Sequence, residues 1–146
     1  MCKQWGRHMT SSAITLETLQ ELVGRLSRFE ADAAAELFAE TVDWDVPGAR
    51  TVPWTGPRHT RGEVADYFNT LWSVCDTAQT ENIVHKVVID GADAVALGVF
   101  AQTVRSTGRR LTTPVALHIT VADDGLINQL RLYEDSYAVA AAFSDV

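Results

Sequence analysis

Between Ile83 and Tyr133 the chain repeats a single device: apolar side chains at alternate positions, broken by short polar turns. Four such runs stand in a row, Ile83–Ile89, Ala94–Arg105, Leu111–Val121 and Leu126–Tyr133. Alternation with period two puts one set of side chains on each face of a strand. The breaks are Asp90-Gly91-Ala92-Asp93, Ser106-Thr107-Gly108-Arg109 and Ala122-Asp123-Asp124-Gly125, all sequences that favour tight reversals. Strands joined in this way form an antiparallel meander, and the apolar face of that meander must be covered by something else in the chain.

The cover lies in the N-terminal half. Leu16, Leu19, Leu22, Val23, Leu26 and Phe29 recur at helical spacing, after Thr15 or Ser12 as an N-cap. Asp32 is placed to cap a short second helix over Ala33–Glu40, with Leu37 and Phe38 on its apolar face. Val42–Val46 alternates and reads as a short strand. Residues 47–62 hold three prolines and three glycines around Val52 and Trp54, which predicts a long ordered loop. A third helix runs from about Gly62 to Ser73, presenting Val64, Tyr67, Phe68, Leu71 and Trp72, and a short helix over Ser136–Phe143 ends the chain. Helices followed by a meander make an α+β fold. One curved sheet around three helices leaves a cone open at one end, a natural apolar pocket. Residues 1–8 show no periodicity, and His8-Met9 resembles a cloning junction. We therefore expect a tail over 1–8, with Met9 the natural start, and one domain over 9–146.

At 146 residues the chain is one domain's worth. A formal charge of −7, with the basic residues gathered only around turns such as Arg105, Arg109 and Arg110, argues against nucleic acid. No apolar run reaches the roughly 20 residues of a membrane span. With no apolar leader, a cytoplasmic location is expected. Cys2 and Cys75 have no metal or disulfide spacing, and His59, His85 and His118 fall on different elements, so no metal site is expected. Neither a phosphate-binding glycine loop nor a Gly-x-Ser-x-Gly elbow occurs, and no cofactor is implied.

Several segments in order carry a family resemblance: Leu37-Phe38-Ala39-Glu40, Trp44-Asp45-Val46-Pro47-Gly48, Pro53-Trp54-Thr55-Gly56, Arg61–Phe68, His118-Ile119-Thr120-Val121, Asp124-Gly125-Leu126-Ile127 and Tyr133-Glu134-Asp135-Ser136. Over about residues 14–143 the chain resembles SnoaL-like proteins of the NTF2-like superfamily, which also holds ketosteroid isomerase. The resemblance implies an NTF2-like cone, with the curved antiparallel sheet wrapped around three N-terminal helices, and often a dimer. It also implies cofactor-free chemistry on small polyketide- or steroid-like molecules. His118 matches the histidine of the family's aldol cyclase. The position of that enzyme's aspartate falls on Leu132, and the isomerase's base falls near Val46, with Asp45 one residue away.

On this basis the leading expectation is a cofactor-independent cyclase or isomerase acting by proton transfer on a small hydrophobic carbonyl compound, expected as a homodimer. His118 is the candidate proton shuttle if its strand face lines the cone. Asp135 and Tyr133 are its candidate helpers, although Asp135 also suits an N-cap for the terminal helix. Trp44, Trp54 and Tyr67 are candidate pocket walls, and Arg131 is an odd charge on the last strand that would serve as a binding residue. The alternatives are a non-catalytic small-molecule binding protein using the same cone, and an epoxide hydrolase. The face on which His118 lies decides whether the shuttle is feasible.

Overall fold

The computed structural model describes residues 2–144, with side chains from Ser11 onward. Helix α1 spans Cys2–Ser27 and α2 spans Ala31–Ala35; β1 is Phe38–Val46, β2 Gly56–Thr60 and α3 Arg61–Val74. Then come β3 (Glu81–Asp90), β4 (Asp93–Thr103), β5 (Arg110–Val121), β6 (Ile127–Glu134) and α4 (Ser136–Ala141). The side chains of the tail predicted over 1–8 lie outside those described, and its backbone from Cys2 belongs to α1.

The six strands form one curved, unclosed sheet in the order β2-β1-β6-β5-β4-β3. The four-strand meander read from the sequence is β3 to β6, paired antiparallel throughout. β1 joins it alongside β6 in parallel, so the sheet is mixed at that one seam. Two boundaries differ from the sequence reading. Phe38 leaves the helix and starts β1, because sheet pairing captures it: it pairs with Ile127, whose amide donates to the Leu37 carbonyl at 2.9 Å, and Phe38 is fully buried. β2 lies inside the predicted loop. Its sequence, Gly-Pro-Arg-His-Thr, has no apolar alternation, and it exists as an edge strand on β1, where Pro57 is tolerated.

α3 begins at a side-chain cap. Thr60 accepts from the Glu63 amide at 3.2 Å, and their side chains meet at 3.4 Å. Its inward face carries Val64, Tyr67 and Phe68, all buried. α1 covers the sheet with Leu19 and Leu22, and Thr15 pins it by donating to the Gly91 carbonyl at 2.8 Å in the β3–β4 turn. α1 ends at a reversal in which the Phe29 amide reaches the Leu26 carbonyl and the Glu30 amide reaches the Arg25 carbonyl. This geometry needs a left-handed residue, and here it is Phe29, at φ 56°, where glycine is usual.

β4 presents the small residues Ala94, Ala96 and Gly98 inward. Gly98 sits where β3 bulges between Val84 and Lys86, and a Cβ there would lie 2.0 Å from the Ile83 carbonyl oxygen. That neighbour is backbone, so neither strand has an easy escape. Gly98→Ala is expected to destabilise the fold by about 2–3 kcal/mol, measured by urea denaturation.

Candidate functional site

Strand parity sorts the candidate residues onto two faces. On β5, Val115, Leu117, Ile119 and Val121 face the helices. His118 takes the other face, where its Nε2 meets Asp93 Oδ1 at 2.9 Å. Thr120 donates to the same oxygen at 2.7 Å. These two hydrogen bonds, the one from Thr120 foremost, hold the Asp93 carboxyl below its ordinary range. On β6, Leu130 and Leu132 point inward, and Arg131 and Tyr133 point outward. Arg131 bridges to Asp43 Oδ1 at 2.8 Å and to the Asp43 carbonyl at 2.9 Å, which answers its odd position on a strand. Tyr133 is half exposed. Asp135 caps α4, accepting from the Ala138 amide at 3.1 Å. The structure therefore separates His118, Arg131, Tyr133 and Asp135 from the interior of the cone.

The interior contains a cavity of about 60 Å³ between α1, α3 and the sheet. Trp44 and Tyr67 line it, with Phe68 and Trp72 of α3 and Leu117, Leu130 and Leu132 of the sheet. The aromatic rings form one connected run. Trp44 meets Tyr67 edge-on at 4.7 Å and Phe68 at 5.8 Å, Phe68 stacks on Trp72 at 5.5 Å, and Phe29 closes on Trp72 at 5.4 Å. Leu26, Thr80 and Asn82 are shared with an outer recess of about 430 Å³ bordered by Phe29 and Ile83. The cavity and the recess thus adjoin across the end of α1 and the start of β3.

Trp54 does not line this cavity. It is buried beneath α4, with its ring against Phe143 at 5.4 Å and its indole N–H donating to Glu134 at 3.4 Å. Glu134 continues the inward face of β6 two residues past Leu132. Burial raises its carboxyl above the ordinary range, opposed in part by the Trp54 hydrogen bond. Burial foremost, and then the charge of Glu134, pushes the Tyr67 hydroxyl well above its ordinary value, so Tyr67 stays a neutral O–H. Arg58 lies 5.1 Å over the Tyr67 ring and donates to the Trp54 carbonyl. Cys75 is fully buried, and its thiol is pushed up to about 11 by that burial, which suits a core residue rather than a nucleophile.

One residue of the lining escaped the sequence reading. Gln102 lines the cavity at 5% exposure, on the inward face of β4. Its signal was a polar residue at an inward position two after Phe100, visible only once the parity of β4 is known. Glu134, which lies outside the lining, carries less weight in the sequence than Asp135, because its inward face is hidden in the parity of β6.

Glu134 gives a pH test. A carboxyl raised in the folded state binds its proton more tightly there than in the unfolded chain. Its contribution to stability is present at pH below the unfolded carboxylate value and is lost as pH rises through the folded one. Glu134→Gln keeps an acceptor for Trp54 and removes the titration. The variant is expected to match the parent at acid pH and to exceed it at neutral pH, read from urea midpoints across pH 3–8.

The fold is shared with an NTF2-like protein from Burkholderia xenovorans (20% identity, TM-score 0.78, covering 92% of this chain and 98% of that one). It is shared also with a protein of ketosteroid isomerase-like fold from Catenulispora acidiphila, solved with trimethylamine (12%, TM-score 0.72, 86% and 91%). An LEH-like epoxide hydrolase from M. tuberculosis is similar as well (15%, TM-score 0.69, 90% of each). At these identities the likeness is one of fold. No curated protein matches the sequence significantly. No helix among the described residues is long and apolar enough to cross a membrane. The NTF2-like fold is shared at the level of structure; the model of the SnoaL-like domain matches residues 19–130, and the chain belongs to that family.

Proposed function

We propose that this protein binds a small, largely apolar molecule in the cone, with Trp44, Tyr67, Phe68 and Trp72 as the walls. The observation that carries this reading is the cavity itself, adjoining an outer recess and lined by aromatic and aliphatic side chains with a few neutral polar residues. Its lining includes no carboxylate, histidine or basic residue. That favours recognition over acid–base chemistry, and it gives no support to an epoxide hydrolase, which needs a carboxylate to activate water. We assign no step to His118, which is engaged with Asp93 on the other face of its strand.

A second reading keeps a cofactor-free isomerase or cyclase, and Glu134 favours it. This carboxyl is buried, raised, and electrostatically coupled to Tyr67, whose neutral hydroxyl lines the cavity. In that reading Tyr67 donates to an enolate oxygen, and Glu134, which lies outside the lining, acts on it through the charge that raises the Tyr67 hydroxyl.

The two readings separate in one experiment. A panel of small cyclic ketones and hydrocarbons is screened by tryptophan fluorescence and thermal shift, with product analysis on every binder. Trp44→Phe is expected to weaken binding about tenfold or more, and His118→Ala to leave it unchanged. Turnover that is lost in Glu134→Gln establishes the enzyme, and binding without turnover establishes the binding protein. Failure of every compound to bind rejects both readings.

We also propose a homodimer formed through the outer face of the sheet. Leu97 and Tyr133 are exposed there, both beside Ala116 in the pairing of β4, β5 and β6. Leu97→Glu is expected to convert a dimer to a monomer in light scattering, with the fold retained.

A further inference from the structure

β3 is the last strand of the sheet, with β4 on one side and no strand of the described residues on the other. Its free edge is long and apolar. Ile83, Val84, Val87 and Val88 are between 38% and 55% exposed. α1 adds to that edge. Thr15 holds the helix to the Gly91 carbonyl, and Leu26 lines the cavity with Asn82, so α1 runs along β3 from one end to the other. One flank of α1 turns Arg25 to the Ala33 carbonyl beside α2. Leu16 and Val23 lie about 180–200° around the helix from Arg25, at roughly 100° per residue, and both are exposed. Six of the ten exposed large apolar side chains among the described residues thus border this one edge. A free edge is a template for another strand unless charge or cover blunts it, and a concentration of apolar groups along it marks a contact surface.

The charges select what covers it. Beyond the bulge between Val84 and Lys86, β3 keeps a regular register on β4 as far as Asp90. Lys86, Val88 and Asp90 pair with Leu97, Val95 and Asp93 and share the outer face of the sheet. Val87 and Ile89 pair with Ala96 and Ala94 and share the inner face. In an antiparallel pairing about a two-fold axis at Val88, Val88 meets its own copy, Val87 meets Ile89, and Lys86 meets Asp90 twice, every pair on one face. Moving the axis to Val87 sets Lys86 against Val88, and moving it to Ile89 sets Asp90 against Val88. Neither Lys86 nor Asp90 has an ionic partner among the described residues. Within one chain the two lie about 13 Å apart along the strand, too far to pair with each other.

We propose that the free edge of β3 is a self-association surface, on which a second copy of this chain pairs through Lys86–Asp90 about a two-fold axis at Val88 and extends the sheet beneath Leu16 and Val23. This contact is separate from the one on the outer face of the sheet and from the ligand site. Five residues from each chain make a small interface, so the expected dissociation constant is on the order of micromolar.

The test uses the full chain in a Cys2→Ser background, where the remaining Cys75 is buried. Val88→Cys is expected to crosslink to a covalent dimer on mild oxidation, because the paired Cβ atoms stand about 4.5–5.5 Å apart, close to disulfide reach. Ile83→Cys is expected not to crosslink, although Ile83 is more exposed than Val88, since its two copies lie about 30 Å apart in this register. Sedimentation equilibrium supplies the second readout. Lys86→Asp and Asp90→Lys each set like charges face to face and weaken association about tenfold or more, and the double variant returns to within about threefold of the parent. Both readouts are repeated with Tyr133→Glu, which addresses the outer face three strands away and is expected to leave the crosslink in place. Urea midpoints equal to the parent's show that each variant keeps its fold. Crosslinking that disappears with Tyr133→Glu belongs to the outer face and overturns the proposal. A double variant that associates no better than the single ones overturns it as well. A Val88→Cys chain that gives no covalent dimer throughout the micromolar range overturns it too, leaves the outer-face contact to stand or fall on Leu97→Glu, and assigns the edge to a strand of another protein.

Discussion

The contact between Trp44 and the inner face of α3 holds the two halves of this fold in register. β1 is the only route by which the N-terminal helices enter the sheet, and it enters beside β6, a strand more than eighty residues away in sequence. Nothing local favours that parallel seam. What favours it is burial: Trp44, fully enclosed, is gripped by Tyr67 and Phe68 on one side and Phe38 on its own strand. Each large aromatic withdraws roughly 150–250 Å² from water, which makes this cluster a principal driving force for closing the cone. The same rings then form the cavity wall, so packing and recognition share residues here.

That sharing explains which parts of the molecule could be read from sequence. The meander was legible because alternation and Asp-Gly turns are local signals, and α3 was legible because its five apolar residues fall on one helical face. β2 was not, since Gly56–Thr60 has the composition of a loop and becomes a strand only by lying against β1. Phe38 was placed in a helix because Asp32 and the following alanines favour one locally; sheet pairing outweighed that preference.

The site was less legible than the fold for a different reason. Alternation states that His118 and Leu117 face opposite ways, but it does not state which way is inward. The register of β5 between β4 and β6, fixed by pairs such as Leu97 with Ala116 and His118 with Arg131, settles the question. A histidine with a family precedent thereby ends up in a surface pair with Asp93. A glutamine with none ends up in the cavity. Trp44 and Tyr67 are more legible because Trp44 shares its strand face with the apolar Val42 and Val46, and Tyr67 lies on the apolar face of α3. Asp135 followed the simpler of its two readings, since an aspartate just before a helix satisfies an amide that would otherwise be bare.

The opposed parity of β5 and β6 also means that two surfaces are written along the same residues in alternation. Changes at Leu117, Leu130 or Leu132 reshape the interior and leave the exterior untouched; changes at Ala116, Arg131 or Tyr133 do the reverse. Ligand choice and surface contacts can thus diverge independently over generations, within strands whose backbone never has to move. A single-residue insertion in either strand is the one event that exchanges the two inscriptions, turning a pocket lining outward and a charged surface in.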